Sequence, residues 1–192
     1  FILSDLAYAE VYFDAPPPGM IAAAGPDFAN TIVFHSLSKR SNLPGLRVGF
    51  AAGDARFIES FLDLRNVAAP QVPVPAQEVA VAAYADEAHV DENRRLYAEK
   101  FALADQILGG RYGHRRPAGG FFLWLDVSAQ GGGERAAQLL WRRAGLRVLP
   151  GRYLARDQAD GVNPGEGYIR VAMVQDKATT AEALHRLVDV LG

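Results

Sequence analysis

The sequence contains no cysteine, which excludes a disulfide framework and any metal site built from thiolates. It has only four histidines, and none of them shows the spacing of a zinc motif such as HExxH. No apolar run is long enough to span a bilayer, and the first residues carry neither a basic region nor a cleavage signature. We therefore expect a soluble, cytoplasmic protein that holds no metal and does not enter a membrane.

The sequence also lacks an excess of charge of either sign. Its 20 basic and 22 acidic side chains leave a net charge of −2, and the arginine doublets at 94–95, 115–116 and 142–143 are scattered along the chain. Neither nucleic acid nor an anionic membrane is expected as a partner, because both require a concentrated basic surface. With 192 residues, 49% of them hydrophobic, the chain can bury one large core or two small ones.

The hydrophobic pattern predicts an α/β protein. Residues 1–3 and 31–35 form short apolar runs without polar alternation, which is typical of strands buried on both faces of a sheet. A third run, 48–53, follows a Pro-Gly pair that favours a tight turn, and Asp54 then has the residue type of a helix N-cap. We expect the functional side chains to lie where the buried strands end.

Three prolines within 68–77 are expected to break the helix that follows Asp54. The pattern is then helical from about Ala76 to Leu108, a stretch long enough to link two domains. We place the domain boundary on this helix, with one domain at 1–85 and the other at 86–192. The second domain alternates in pattern, with strands predicted at 120–127, 147–150 and 167–174 and helices at 133–144 and at the end of the chain.

Lysine is scarce, since only Lys39, Lys100 and Lys177 are lysines among the 20 basic residues. Lys100 and Lys177 fall in polar helical sequence, whereas Lys39 follows a predicted buried strand and has small neighbours. Only an amine can condense with a carbonyl to form a Schiff base and then move a proton, so arginine could not replace lysine in that task. The alternative is a surface lysine in a loop.

The neighbours of Lys39 favour a ligand with a phosphate group. Ser36 and Ser38 supply hydroxyls and Arg47 supplies a guanidinium fork, a combination suited to a phosphate dianion. Ser38 could equally cap the turn. His35, in the strand just before, is interpreted as a packed or supporting histidine, with a proton shuttle as the alternative.

Asp5 ends the first predicted strand, and Tyr8 follows it by about one turn. If the first two strands are neighbours in one sheet, Asp5, Tyr8 and Lys39 converge at its carboxyl edge, where open α/β sheets bind ligands. An aromatic cofactor with a phosphate arm would fit such a site.

These motifs resemble a known family. The order D-x-x-Y, S-x-S-K and G-x-R-x-G is similar to that of the fold type I pyridoxal-phosphate aminotransferases, and "IRVAMV" resembles their strand that carries the substrate-carboxylate arginine. The resemblance covers essentially the whole chain, as the C-terminal half of such an enzyme. The blocks most similar to succinyldiaminopimelate aminotransferase are "FHSLSKRSNLPGLRVGFAAGDA", "DEAHVDENRRLYAEKF", "VLPGRYLAR" and "NPGEGYIRVAMV".

The resemblance implies the fold and the cofactor. Residues 1–85 would be the C-terminal portion of the large pyridoxal 5′-phosphate domain, with a mostly parallel sheet, and 86–192 a smaller α+β C-terminal domain. Lys39 would form the Schiff base and move the substrate proton. Asp5 would hold the pyridine nitrogen protonated, and Tyr8 would bond the phenolic oxygen of the ring.

The resemblance also assigns Ser36, Ser38 and Arg47 to the cofactor phosphate, and Arg170 to the α-carboxylate of the substrate. For Arg170 the alternative is a surface arginine at a strand edge. The implied enzyme is a homodimer that moves an amino group from N-succinyl-LL-2,6-diaminopimelate or glutamate to a 2-oxo acid such as 2-oxoglutarate, in lysine biosynthesis. Other possibilities on the same scaffold are an aromatic or glutamine-type aminotransferase, a C–S lyase, and a regulatory domain without turnover.

Overall fold

The computed structural model describes residues 1–68 and 71–192, and these form two compact units, Phe1–Arg95 and Leu96–Gly192. The units divide within a helix. The domains expected at 1–85 and 86–192 stay a prediction. Each unit has its own three-stranded sheet.

The first unit contains a mixed sheet that begins with a parallel pair of strands. Its strands lie in the order β1 (Ile2–Asp5), β2 (Thr31–Ser36) and β3 (Gly49–Gly53). β1 runs parallel to β2, with Asp5 opposite Phe34, and β3 runs antiparallel to β2, with Gly49 opposite Ser36. The register therefore brings the carboxyl ends of β1 and β2 and the start of β3 to one edge of the sheet.

The helices of this unit connect and cover the strands. They are α1 (Met20–Ala23), α2 (Leu37–Arg40), α3 (Ala55–Ala68), α4 (Val74–Ala85) and the first half of α5 (Ala88–Leu108). The predicted turn at the Pro-Gly pair is a 3₁₀ helix, Pro44–Leu46. Asp54 accepts a hydrogen bond from the backbone N–H of Arg56, as an N-cap of α3 does. The predicted break falls between α3 and α4, and Ala69 and Pro70 within it lie outside the described residues.

The single helix predicted from about Ala76 to Leu108 is wrong, because α4 and α5 are separate helices. The chain is extended at Asp86, with φ of −101° and ψ of 116°. The Asp86 carboxylate accepts a hydrogen bond from the backbone N–H of Ala88 at 2.9 Å, and this bond opens α5. Apolar periodicity alone does not reveal such a break, since the residues on both sides of it suit a helix.

The second unit contains an antiparallel sheet and two helices beyond α5. Its elements are β4 (Phe122–Asp126), α6 (Gly133–Ala144), β5 (Leu149–Pro150), β6 (Tyr168–Ala172) and α7 (Lys177–Leu191), and β6 lies between β4 and β5. The fully buried side chains of its core include Leu123, Leu125, Leu140, Ile169, Leu184 and Leu187. α7 thus buries Leu184 and Leu187, which lie three residues apart on one face. In the described part of the chain, no helix is both long and apolar enough to cross a membrane.

Candidate active site

The end of β1 places Asp5, and the segment after it places Tyr8, at the carboxyl edge of the first sheet. Asp5 is exposed, and its Oδ1 accepts a hydrogen bond from the N–H of Ala7 at 2.9 Å. The N–H of Leu6 donates to the carbonyl of Phe34 at 2.8 Å, which extends the pairing with β2 beyond the strand. The Tyr8 ring is 42% exposed, and its centroid lies 5.7 Å from Nζ of Lys39.

The turn after β2 carries the two serines and Lys39. Ser36 caps α2, because its Oγ accepts a hydrogen bond from the N–H of Ser38 at 3.1 Å. The two hydroxyl oxygens lie 2.9 Å apart, so they also bond each other. Lys39 follows in the same helix and is half-buried. The structure thus joins Ser36 to Ser38 and brings Lys39 to Tyr8.

Arg47 lies on the loop that leads into β3. It is exposed, has a left-handed backbone with φ of 56°, and donates from Nη1 to the carbonyl of Pro44 at 2.9 Å. The next residue, Val48, accepts a hydrogen bond from the N–H of Leu37, which ties this loop to α2. Asp5 and Arg47 therefore share a sheet edge with Lys39, and each makes its hydrogen bond within its own loop.

His35 is packed among partners on the β2 strand. Its Nε2 lies 2.9 Å from Oε1 of Glu10 and its Nδ1 lies 3.2 Å from the hydroxyl of Tyr84, while its ring stacks on Phe50 at 5.3 Å. Burial raises the pKa of Tyr84, as does the Glu10 carboxylate, against the opposing charge of Arg40. The Tyr84 hydroxyl and the Glu10 carboxylate thus occupy both ring nitrogens of His35. His35 is a packed histidine, as the sequence indicated.

The sequence interpretation missed Arg40 and Glu10. Arg40 is 2% exposed although it follows the half-buried Lys39 directly. Successive residues of a helix project about 100° apart, so an arginine beside a site-facing lysine on a short helix is directed elsewhere. That spacing could have placed Arg40 on a different face from Lys39, whereas nothing in the sequence alone marks it as buried or pairs it with Glu10.

Arg170 lies on the central strand of the second sheet. Its neighbours across β6 are Trp124 on β4 and Leu149 on β5, and its guanidinium carbon lies 4.2 Å from the centroid of the Phe122 ring. Trp124 stacks on Tyr168 with ring centroids 5.4 Å apart. β6 is flanked on both sides, so Arg170 does not lie on an edge strand, and its side chain is half-buried.

Lys100 differs from the expectation of an ordinary polar helix position. It is 8% exposed, its Nζ donates to the carbonyl of Gln175 at 3.1 Å, and it lies 4.4 Å from the Tyr97 ring centroid. Burial lowers the pKa of this amine. Lys177 is exposed and pairs with Glu99 at 3.4 Å. Lys100 therefore has a structural role inside the second unit, whereas Lys39 lies on the turn after β2.

Comparison with known proteins identifies the family. Residues 1–187 match the family described as aminotransferase class I and II. The 4-dedimethylamino-4-oxo-anhydrotetracycline transaminase OxyQ of Streptomyces rimosus is 32% identical over 97% of this chain and 50% of its own length. The LL-diaminopimelate aminotransferase of Desulforudis audaxviator is 31% identical over 100% of this chain and 47% of its own. An aminotransferase structure from Neisseria meningitidis Z2491 superposes with a TM-score of 0.91 at 44% identity, covering all of this chain and 49% of that one.

The chain belongs to the class I and II aminotransferases, a family that depends on pyridoxal 5′-phosphate. It spans about half the length of the curated relatives that it matches. The fold agrees with the expectation of an α/β fold type I protein.

The side chains at the edge of the first sheet fit this cofactor chemically. A half-buried amine, a phenol and two bonded hydroxyls lie on the turns after β1 and β2, and a carboxylate and a guanidinium lie at the same edge. The amine suits the aldehyde of the cofactor, and the phenol suits its phenolic oxygen. The hydroxyls and the guanidinium suit its phosphate, and the carboxylate suits its protonated ring nitrogen. Within the described residues, no group of three or more His, Asp or Glu side chains could hold a metal ion.

Proposed function

We propose that this chain forms part of a pyridoxal-phosphate-dependent aminotransferase in which Lys39 is the catalytic amine. The observation that carries the proposal is the half-buried Lys39 beside Tyr8, at the carboxyl edge of a parallel strand pair, in a chain that belongs to this family. A homodimer and a cytoplasmic location are parts of the same proposal.

The proposal gives each residue of the edge one task. Asp5 holds the protonated ring nitrogen, Tyr8 bonds the phenolic oxygen, and Lys39 binds the aldehyde and then moves the proton at the substrate Cα. When bound, pyridoxal phosphate supplies the aldehyde that carries the amino group between substrates and a ring that accepts electrons from the Cα. Ser36, Ser38 and Arg47 hold the phosphate.

Arg170 binds the α-carboxylate of the amino acid and of the 2-oxo acid. A guanidinium is suited to this because it makes two parallel hydrogen bonds to a carboxylate. Packing of Arg170 over the Phe122 ring supports the role, since the ring limits the directions that the guanidinium can take.

The proposed donor is N-succinyl-LL-2,6-diaminopimelate and the proposed acceptor is 2-oxoglutarate, which becomes glutamate, in lysine biosynthesis. Glutamate is the donor when the reaction runs in the opposite direction. Support comes from the sequence blocks that resemble succinyldiaminopimelate aminotransferase and from the LL-diaminopimelate aminotransferase relative, which aligns over the whole chain. The similarity to OxyQ favours testing a bulky ketone acceptor as well.

Borohydride trapping tests the catalytic amine. Reduction of the complete enzyme should link the cofactor to the peptide that contains Lys39, and Lys39→Ala should lose both the link and turnover. Lys177→Ala is the control, because it removes an exposed lysine of the second unit. A cofactor still trapped in an active Lys39→Ala enzyme would move the catalytic amine elsewhere.

Product analysis tests the reaction class. Incubation with N-succinyl-diaminopimelate and 2-oxoglutarate should yield glutamate at a higher kcat/KM than phenylalanine or glutamine donors give. In a parallel assay with L-cystathionine, release of a thiol together with pyruvate and ammonia would indicate a C–S lyase instead. Binding of these amino acids without any product would favour the regulatory domain.

A further inference from the structure

Arg40 is a buried cation that contacts several segments of the first unit. Its Nη1 donates to the carbonyl of Ala83 at 2.7 Å, and its Nη2 pairs with the Glu87 carboxylate. Its Nε lies 2.6 Å from Oε2 of Glu10, an ion pair whose angle falls outside hydrogen-bond geometry. The guanidinium carbon also lies 5.4 Å from the Tyr84 ring centroid. One side chain thus links the turn after β2 to the segment after β1 and to the junction of α4 and α5.

Glu10 connects Arg40 to the segment that carries Tyr8. Only Ala9 separates Tyr8 from Glu10. The Glu10 carboxylate also pairs with His35 near the end of β2. Arg94 donates to the carbonyl of Glu10 at 3.3 Å, which fixes its backbone as well. The ion pair therefore joins the residue that follows Lys39 to the residue two positions after Tyr8.

The residues after Arg40 are held by the same junction. The hydroxyl of Ser41 lies 2.8 Å from Nε2 of His89, whose Nδ1 lies 2.7 Å from Oδ2 of Asp86. Asn42 and Asn93 bond through their side chains at 3.0 Å. The order serine, histidine, aspartate resembles a hydrolytic triad, but Ser41 is only 9% exposed and faces the Arg40 guanidinium at 3.4 Å. These contacts immobilise the turn.

We propose that Arg40 is a positioning residue: through its contacts with Glu10 and with the α4–α5 junction, it holds Lys39 close to Tyr8. The inference rests on the proposed function, since it assigns Lys39 as the reacting amine. Loss of the guanidinium leaves two carboxylates and the carbonyl of the half-buried Ala83 without this partner. Lysine cannot replace it fully, because a single ammonium does not reach three partners in the directions of a planar fork. The turn that carries Lys39 then loses its fixed relation to the Tyr8 segment.

Competitive labelling of amines gives a readout that needs neither cofactor nor turnover. The complete enzyme, freed of cofactor, is acylated with a trace of an amine-reactive ester, and mass spectrometry gives the labelling of Lys39 relative to Lys177. Arg40→Gln should change this ratio at least about threefold and lower kcat about tenfold or more, with substrate KM within about twofold, because misplacing the reacting group acts on the chemical step. Arg40→Lys should recover part of both effects.

Asp54→Asn is the matched control. Asp54 is also buried and charged in the first unit, but it lies beside the start of β2, where its N–H donates to the carbonyl of Thr31. It should leave the labelling ratio and kcat unchanged even where it lowers stability as much as Arg40→Gln does. Equal ratios in parent, control and Arg40→Gln enzymes would overturn the proposal and leave Arg40 a stabilising residue.

A second variant decides the question if Arg40→Gln does not fold. Glu10→Gln keeps the size of the side chain and removes the charge that Arg40 grips, so the ratio should change in the same direction, and an unchanged ratio would overturn the proposal. Failure of the proposed function gives a different result, namely a parent enzyme whose Lys39 traps no cofactor.

Discussion

The amine of Lys39 lies 5.7 Å from the centroid of the Tyr8 ring, although the two residues follow different strands of the sheet. They approach because β1 and β2 are parallel neighbours whose carboxyl ends coincide. Tyr8 can therefore act on the same ligand as Lys39.

Tyr8→Phe should weaken both cofactor binding and turnover. The substitution keeps the ring beside Lys39 and removes the proposed hydrogen bond to a charged oxygen, a loss of about 1.5–3 kcal/mol, or roughly 10- to 150-fold. Equilibrium dialysis and kcat/KM measure the effect. Tyr12→Phe is the control, because Tyr12 lies in the same segment and packs its ring under Arg94. An equal loss in both variants would assign Tyr8 no specific role.

Arg170→Ala should raise KM for every carboxylate substrate. Removing a bidentate, charge-assisted pair is expected to weaken binding by about 3 kcal/mol, roughly 100-fold, and Arg170→Lys should recover only a part. Arg147→Ala serves as the control, since Arg147 is exposed in the same unit. Initial rates over a range of amino acid and 2-oxo acid concentrations give the KM values. An unchanged KM in Arg170→Ala would place the carboxylate site elsewhere.

The strands and the grouping of residues on them were predictable from sequence. Short runs of β-branched or aromatic residues without polar alternation, at 1–3 and 31–35, indicated β1 and β2, and the run at 48–53 after the Pro-Gly pair indicated β3. The idea that Lys39 faces Tyr8 needed only the rule that parallel strands end at the same edge.

The break between α4 and α5 and the burial of Arg40 were not predictable, for one shared reason. Both features involve contacts between residues far apart in the chain. At the break itself, the Arg40 guanidinium donates to the carbonyl of Ala83 and pairs with the carboxylate of Glu87. The local pattern is helical on both sides of the break, so it predicted one continuous helix. The buried Lys100 was missed likewise, because its acceptor, the Gln175 carbonyl, lies far along the chain.

Asp54 should make the stability of the first unit depend on acid pH. The Arg56 guanidinium and then the backbone N–H of Asn30 hold the pKa of this carboxyl well below its usual range. Because the folded pKa is depressed, the stabilisation is complete above the unfolded pKa of about 3.9 and is lost as the pH falls below it toward the folded pKa. Urea midpoints should separate the parent from Asp54→Asn at pH 7, and the difference should shrink between pH 4 and pH 2, taken as roughly this window.

The exposed Asp63 on α3 supplies the comparison for this experiment. At each pH in this range, Asp63→Asn should have nearly the same urea midpoint as the parent, because a solvated carboxyl has few partners to lose. A gap between parent and Asp54→Asn that stays constant down to the lowest pH would show that the charge of Asp54 does not stabilise the fold.

Gly151 should tolerate no side chain, because two backbone segments touch there. A Cβ at Gly151 would lie 2.6 Å from the carbonyl oxygen of Gly165 and 2.8 Å from the Trp124 ring, and Trp124 pairs with Arg170 across the sheet. Gly151→Ala is therefore expected to destabilise the second unit by about 1–3 kcal/mol and to raise the carboxylate KM, while trapping of the cofactor at Lys39 is kept. Gly110→Ala makes the same chemical change in open space and should do neither. Thermal unfolding and the carboxylate KM are measured for both variants. If Gly151→Ala and Gly110→Ala had the same unfolding temperature and the same KM, the contacts with Gly165 and Trp124 would carry no cost and this account would be wrong.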